Sequence, residues 1–225
     1  MDGKTRRESM REGREKFGKL SFKEKLGYLW DYYKWVPALV VVLAVVIAIG
    51  VHVAKDSRKE TVLSAAIING IKNEGNEGLK LSEGFAEYIG LDPKTQSLSM
   101  DDTYLIKLAD GDQVTVACQT KLMAAIQGET LDLMVMPEDI YRNYLASGAI
   151  VRLDEALDGE FLEEEKERWQ MDRRGEDTED GLYALRVTGS KKLEPLYGSQ
   201  EVYAAVPAGA GHREAMEEFL KYLLH

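Results

Sequence analysis

The sequence predicts an α/β domain, with a mixed sheet flanked by helices, preceded by one transmembrane helix. The transmembrane helix is indicated by a strongly apolar run from Val36 to Val53 that contains no charged residue. After this run, short apolar segments typical of buried strands alternate with amphipathic segments typical of helices. Two strand-like segments near the end, residues 183–187 and 201–206, follow one another as a pair. Alternating strands and helices favour a layered parallel sheet, and the late pair makes that sheet mixed.

The apolar run has the length of a membrane span. Its eighteen residues would form a helix of about 27 Å, close to the hydrocarbon thickness of a bilayer. Tyrosine and tryptophan residues crowd its amino-terminal edge between Tyr28 and Trp35, as is typical of a membrane–water interface. A buried core helix is the alternative, but no polar stripe divides the run. We therefore expect a bilayer as a partner of residues 36–53.

Charge predicts the orientation of this span. Residues 1–35 contain ten Lys/Arg and six Asp/Glu, whereas residues 54–225 contain 19 and 33, a net charge of −14. Positive residues beside a span stay in the cytoplasm. We expect a single-pass protein of the cell membrane, with a cytoplasmic amino terminus and an extracellular carboxyl-terminal domain. A cleaved signal peptide is the alternative, but the basic arm and the apolar run are both longer than such peptides have.

The predicted organisation therefore has four parts. Residues 1–35 form a cytoplasmic basic arm with a juxtamembrane helix, residues 36–53 the transmembrane helix, residues 54–60 a stalk, and residues 61–225 the extracytoplasmic α/β domain. The negative charge of that domain argues against nucleic acid as a partner. Cys118 is the one cysteine in the chain, so an intramolecular disulfide is excluded.

The sequence of the first half of the domain predicts two strands and two helices. Residues 61–69 form an apolar run that ends at Asn69-Gly70 and fits a buried strand. Residues 79–89 place apolar side chains on one face of a helix, and residues 97–101 suit a short strand. Residues 113–127 are predicted as a second helix, although residues 114–116 also suit a strand.

The second half continues the alternation. Residues 131–136 form the clearest buried strand, and Pro137 then opens a helix that continues to Ala146. A short helix follows near Leu153. The acidic stretch 158–181 is predicted to be helical in its first half and a loop in its second. The paired strands 183–187 and 201–206 enclose a loop, and residues 212–224 form a final amphipathic helix.

Catalytic and metal-binding motifs are not visible in the sequence. His212 and His225 lack neighbours at a spacing that would make them catalytic, and we expect both to be exposed. The acidic turn at Asp110-Gly111-Asp112 lacks the ligand spacing of a calcium loop. We therefore expect no cofactor, no metal and no enzymatic activity, with a hydrolase as the least favoured hypothesis.

Two segments resemble a known family. In LDLMVMPEDIYRNYLASGAIVRLDEAL a strand is followed by a helix, a small-Gly-aliphatic turn and a Leu-Asp pair, and EVYAAVPAGAGHREAMEEFLKYL ends in a strand, a turn and a helix. Both are similar to segments of the type 2 periplasmic-binding, or extracellular solute-binding, family. The residues that fall on these features are Asp132, Pro137, Tyr144, Gly148, Leu153 and Asp154. With its anchor and the WDYYKW string, the chain also resembles uncharacterised single-span proteins of Gram-positive anaerobes that have such a domain.

The resemblance implies a periplasmic-binding-like lobe and two possible functions. One is a non-catalytic, solute-binding-like module that senses a small molecule or assists a membrane transporter. The other is a degenerate binding domain that acts as a protein-interaction module in a cell-envelope complex. A ligand cleft in an α/β sheet lies at the carboxyl ends of the strands. The candidate ligand-binding residues are Asn69, Gly70, Pro137, Glu138, Tyr183 and Tyr203.

Overall fold

A computed structural model of the chain describes residues 41–47, 59–70, 76–109, 111–175 and 179–225. Residues Lys59–His225 form one compact unit. Residues 41–47 are helical and exposed. The predicted juxtamembrane helix, the rest of the predicted span and residues 54–58 of the predicted stalk lie outside the described residues. In the described ranges, none of the helices combines the length and the apolarity needed to cross a bilayer.

In the described residues, six strands form one sheet in the order β2-β1-β3-β6-β5-β4. The sheet is mixed, as the sequence predicts, but it contains β4 in addition to the five predicted strands. The strands are β1 (Glu60–Ile68), β2 (Gln96–Tyr104), β3 (Leu133–Pro137), β4 (Trp169–Asp172), β5 (Gly181–Arg186) and β6 (Val202–Ala205). β1 pairs in parallel with β2 and with β3. β6 is antiparallel to both β3 and β5, and β4 is antiparallel to β5.

Helices cover both faces of the sheet. They are α1 (Glu77–Tyr88), α2 (Gln113–Gln127), α3 (Glu138–Ala146), α4 (Leu153–Ala156), α5 (Gly159–Glu164), α6 (Glu194–Tyr197) and α7 (Arg213–Leu224), with a 3₁₀ turn at Lys166–Arg168. Buried side chains of α1 and α7 belong to one apolar cluster, and those of α2 and α3 belong to a second. Successive residues of β1 alternate between the two clusters, because neighbouring side chains of a strand point to opposite faces. The central strands are therefore buried on both sides.

Two predicted elements differ in the structure: the end of the acidic stretch, and the loop between the paired strands, which contains α6. The acidic stretch contains β4, where the sequence predicts the end of a helix and a loop, because Trp169 turns inward and its Nε1 donates to the Leu162 carbonyl at 2.8 Å. The predicted helix over residues 113–127 is confirmed, and residues 114–116, which also suit a strand, belong to it. The Asp112 side chain caps α2 by accepting a hydrogen bond from the Thr115 amide at 2.7 Å, which satisfies a donor that the helix leaves unpaired.

The buried face of α1 packs against α7. Phe85 is fully buried and its ring lies 4.9 Å from the Phe219 ring, edge to face. Tyr88 shares the predicted face but is 52% exposed, because it is the last residue of the helix. Phe85 is thus the main anchor between these helices.

We predict that Phe85→Ala lowers the free energy of unfolding by about 3–5 kcal/mol, because it removes a fully buried ring. Leu79→Ala is the matched control on the same helix, since Leu79 is 55% exposed, and should change stability by less than about 1 kcal/mol. Urea unfolding followed by circular dichroism measures both. Equal losses would contradict the assignment of the buried face.

Candidate functional site

The carboxyl ends of β1 and β3 lie side by side in the centre of the sheet. Ala65, Ala66 and Ile67 of β1 pair in parallel with Leu133, Met134 and Val135 of β3. β2, the next strand in the sequence, lies on one side of β1 in the sheet, and β3 lies on the other side of β1. Such a change of direction is the switch point at which open α/β sheets bind ligands.

Tyr197 of α6 occupies this switch point. Its hydroxyl lies 2.8 Å from the Ile68 carbonyl oxygen and 2.9 Å from the Val135 carbonyl oxygen. The side chain is 1% exposed, and this burial raises the pKa of the phenol well above its ordinary value. Because the hydroxyl keeps its proton, it can donate to either carbonyl. α6 therefore fills the crevice where the sequence predicts a ligand.

The Asn69-Gly70 turn is held by the chain itself. Asn69 has a φ of 58°, a left-handed conformation that asparagine tolerates better than most residues. Its side-chain amide donates to the Ile106 carbonyl and accepts from the Ile106 amide, both at 2.7 Å. Gly70 follows in a half-buried position. Both hydrogen-bonding atoms of the Asn69 side chain thus tie β1 to the segment after β2.

Pro137 and Glu138 lie at the adjacent end of β3. Pro137 ends the strand and occupies the N-cap position of α3. Glu138 accepts a hydrogen bond from Arg142 at 2.6 Å, one turn later in that helix. Arg142 also reaches Asp172 of β4 at 3.4 Å. The Glu138 carboxylate is therefore already paired, and its oxygen faces an arginine rather than an open cleft.

Tyr183 and Tyr203 are core residues. They are 1% and 4% exposed. Tyr203 stacks on Tyr141 with ring centroids 5.1 Å apart, and the Tyr141 hydroxyl donates to Asp172 at 2.9 Å. Burial, together with this hydrogen bond, raises the pKa of Tyr141 far above its ordinary value. Tyr203 pairs with Met136, directly beside the Pro137-Glu138 turn, whereas Tyr183 lies on β5, which pairs with neither β1 nor β3. Both tyrosines belong to the core rather than to an open cleft.

A pocket of about 470 Å³, lined by both apolar and polar groups, lies elsewhere, on the α2 side of the sheet. It lies over the amino-terminal half of β1 and beside β2, and the loop after α2 forms its wall. Its polar lining residues include Ser64, Ser99, Asp101, Glu129, Asp132 and His212. The Asp132 end of this pocket lies before β3, at the opposite end of that strand from the predicted cleft, and the lining extends along β2 as far as Tyr104.

Asp132 fixes the wall of this pocket. It lies directly before β3 and is 4% exposed. Its carboxylate accepts hydrogen bonds from the Ser64 amide at 2.8 Å, the Gly211 amide at 3.2 Å and the His212 amide at 3.3 Å. Because Gly211 and His212 directly precede α7, the negative charge also lies at the amino terminus of that helix, where it is favourable. One side chain therefore joins β1, β3 and α7.

The His212 ring is oriented by the same carboxylate. Its Nδ1 lies 3.0 Å from each oxygen of Asp132, a hydrogen bond when that nitrogen carries the proton. The side chain is 47% exposed, so Nε2 is the ring atom left for a ligand. The sequence predicts an exposed His212 without this partner, because 80 residues separate the two side chains. The available signal is Asp132 itself, an acidic residue directly before a buried apolar strand.

His225 also has a carboxylate partner. Its Nε2 lies 3.0 Å from Glu165, and its side chain is 71% exposed, which agrees with the predicted exposure. Within the described part of the chain, no three His, Cys, Asp or Glu residues are grouped so that they could hold a metal ion.

Comparison with known proteins gives no family. The chain matches no protein-family model, and no curated protein has a significantly similar sequence.

We predict that Asp132→Asn lowers the free energy of unfolding by about 2–4 kcal/mol. The amide replaces a buried charged acceptor and places an N–H₂ group among hydrogen-bond donors. Asp154→Asn is the control, because Asp154 is 48% exposed in its pair with Arg152, and should cost less than about 1 kcal/mol. Urea unfolding of both variants is the measurement. A change at Asp132 as small as that at Asp154 would contradict the role of this contact.

Proposed function

We propose that this chain is a membrane-tethered, non-catalytic module that binds a small polar molecule outside the cell. The observation that carries the proposal is the pocket beside β1, β2 and the loop after α2, in which several polar side chains stand among apolar ones. Its volume of about 470 Å³ falls within the range of small-molecule sites, which is about 300–1,000 Å³. Hydroxyl, carboxylate and imidazole groups converge on it, and such groups orient a polar ligand.

The pocket is built before any ligand arrives. Ser64 and Ser99 lie on the paired strands β1 and β2, opposite each other in the ladder. Asp132 and His212 are fixed by the hydrogen bonds that join them to the strands and to α7. A ligand would therefore meet side chains that are already ordered, which lowers the entropic cost of binding.

The position of the pocket separates this proposal from a cleft at the carboxyl ends of the strands. Tyr197 occupies the space between the ends of β1 and β3. We place the ligand at the other end of these strands, in a domain related to one periplasmic-binding-like lobe. The resemblance of the sequence supports the family, and the mixed α/β sheet is compatible with it.

The tether is the apolar run from Val36 to Val53. Its length supports a single span, and the basic arm before it supports a cytoplasmic amino terminus. The binding domain then lies outside the cell, where it either senses its ligand or presents that ligand to a membrane transporter. Any signal to the cytoplasm passes through the span or through a partner.

A protein-interaction module is the second candidate. Four large apolar side chains are 39–53% exposed near the start of α2, namely Leu105, Leu108, Val114 and Val116. They follow the carboxyl end of β2, at the edge where Tyr197 fills the central crevice. A group of exposed apolar side chains is typical of a surface that contacts another protein.

We predict that one class of small polar compounds raises the thermal unfolding temperature of the full chain in mild detergent. The panel contains amino acids, sugars, diamines and short peptides. At a hundred times the Kd, binding stabilises the folded state by about 2.7 kcal/mol, which corresponds to a rise of several degrees. Ser99→Phe should abolish the rise, because the ring fills the pocket.

Gln200→Phe is the matched control. It places the same ring at an exposed position near the opposite end of the sheet and should leave the rise intact. A rise that survives Ser99→Phe would exclude this pocket as the site. A folded protein that responds to no compound would instead favour the interaction module.

We predict that an impermeant maleimide labels the domain, but not the arm, in intact expressing cells. Two variants in a Cys118→Ser background test this, Glu83→Cys on exposed α1 and Ser9→Cys in the basic arm. Only Glu83→Cys should react until the cells are permeabilised, when both should react. Labelling of Ser9→Cys in intact cells would reverse the proposed orientation.

A further inference from the structure

Two β2 residues that line one wall of the pocket also contact an ammonium group of the chain itself, that of Lys121, which is not one of the lining residues. The Nζ atom of Lys121, on α2, contacts the Asp101 carboxylate and lies 3.3 Å from the Thr103 hydroxyl oxygen. It also lies over the Tyr104 ring, 4.8 Å from the centroid. Asp101 and Tyr104 both line the pocket. A carboxylate, a hydroxyl and an aromatic face together are the groups that recognise an organic cation.

The electrostatics of this wall favour a bound cation. Partial burial raises the pKa of the Asp101 carboxyl, but hydrogen bonds from Lys121 and Thr103 outweigh it and hold that pKa below its ordinary value. The hydrogen bond to Asp101 raises the pKa of Lys121. Burial, followed by the charge of Asp101, raises the pKa of Tyr104. At neutral pH the wall therefore presents one negative charge and a neutral ring.

Lys121 can leave this position at little cost. Its side chain is 54% exposed, and that of Asp101 is 28% exposed. Exposed ion pairs of this kind contribute little to stability. A ligand ammonium that takes the place of Lys121 keeps the same contacts and also gains those of the pocket.

The rest of the pocket suits a short chain with a second cationic end. From Asp101 the lining continues over the Ser64 and Ser99 hydroxyls to the exposed carboxylate of Glu129 and the Asp132–His212 pair. Residues 59–225 contain 17 basic and 32 acidic side chains, a net charge of −15. Such a field draws small cations towards the domain.

We propose that the pocket binds a compact alkylammonium ligand, such as an α,ω-diamine, whose ammonium group displaces Lys121 from Asp101 and the Tyr104 ring. This inference rests on the proposed function and narrows its ligand to organic cations. Lys121 acts as an internal competitor that occupies the wall when the pocket is empty.

Calorimetric titration of the full chain in mild detergent with 1,4-diaminobutane tests the inference, at fixed ionic strength. Lys121→Met removes the competing ammonium but keeps the length of the side chain, and should tighten binding about fivefold. Asp101→Asn removes the charge of the wall and should weaken binding at least tenfold. Lys80→Met is the matched control, because Lys80 pairs with Glu77 on α1, away from the pocket, and should leave the affinity unchanged.

Butane-1,4-diol, with the same length and no charge, should not bind. The inference is overturned if the diol binds as tightly as the diamine, if Asp101→Asn binds the diamine like the wild type, or if Lys121→Met brings no gain. Neutral compounds that stabilise the protein, and lose that effect in Ser99→Phe, would leave the proposed function intact while refuting the cationic ligand. If neither the diamine nor any compound of the panel binds, both proposals fail.

Discussion

The buried carboxylate of Asp132 is the contact on which the domain most depends. A charged group with 4% exposure must be satisfied by hydrogen bonds, because water no longer reaches it. Its donors come from β1 and from the residues that open α7, 68 and 79–80 positions away in the sequence. The position of α7 against the sheet follows from this contact. α7 in turn packs against α1 on that face of the sheet, and the His212 ring is held beside Asp132.

The same contact shapes the proposed ligand site. α2 covers the carboxyl half of β1 with Leu122 and Ile126 and ends at Gln127. The loop after it returns to β3 through Asp132, so the polar part of β1 around Ser64 stays uncovered. At the other end of the sheet, the Tyr197 side chain fills the space between the carboxyl ends of β1 and β3. The domain therefore has an open pocket where its α2 helix stops and a filled crevice at its switch point.

Local sequence patterns predict most of the strands and helices of this fold. Apolar runs locate β1, β3, β5 and β6, and the spacing of Met216, Phe219, Leu220 and Leu223 predicts the buried face of α7. β4 is missed because an edge strand pairs on one side only and keeps a polar composition. Its sequence, Trp169-Gln170-Met171-Asp172, lies within an acidic stretch that favours a solvated helix or loop.

The site is harder to predict because its contacts are long-range. The Asp132–His212 pair spans 80 residues. The Tyr197 hydroxyl contacts the carbonyl of Ile68, which is 129 positions earlier, and that of Val135, which is 62 positions earlier. Neither contact leaves a periodic or spaced signal, since each depends on how the finished sheet brings loops together. The carboxyl ends of β1 and β3 could be located from the sequence. That a tyrosine from a polar loop fills the space between them could not.

The proposed ligand site lies beside β1 and β2 rather than at the carboxyl ends of β1 and β3. Amide chemical-shift mapping tests it directly, with the ¹⁵N-labelled protein titrated with the panel compound that raises its unfolding temperature most. We expect shifts at Ser64, Ser99, Asp101, Asp132 and His212, and none at Asn69, Glu138 or Glu201. Shifts concentrated at Asn69, Glu138 and Glu201 would contradict it, as would the absence of any compound that shifts the first group.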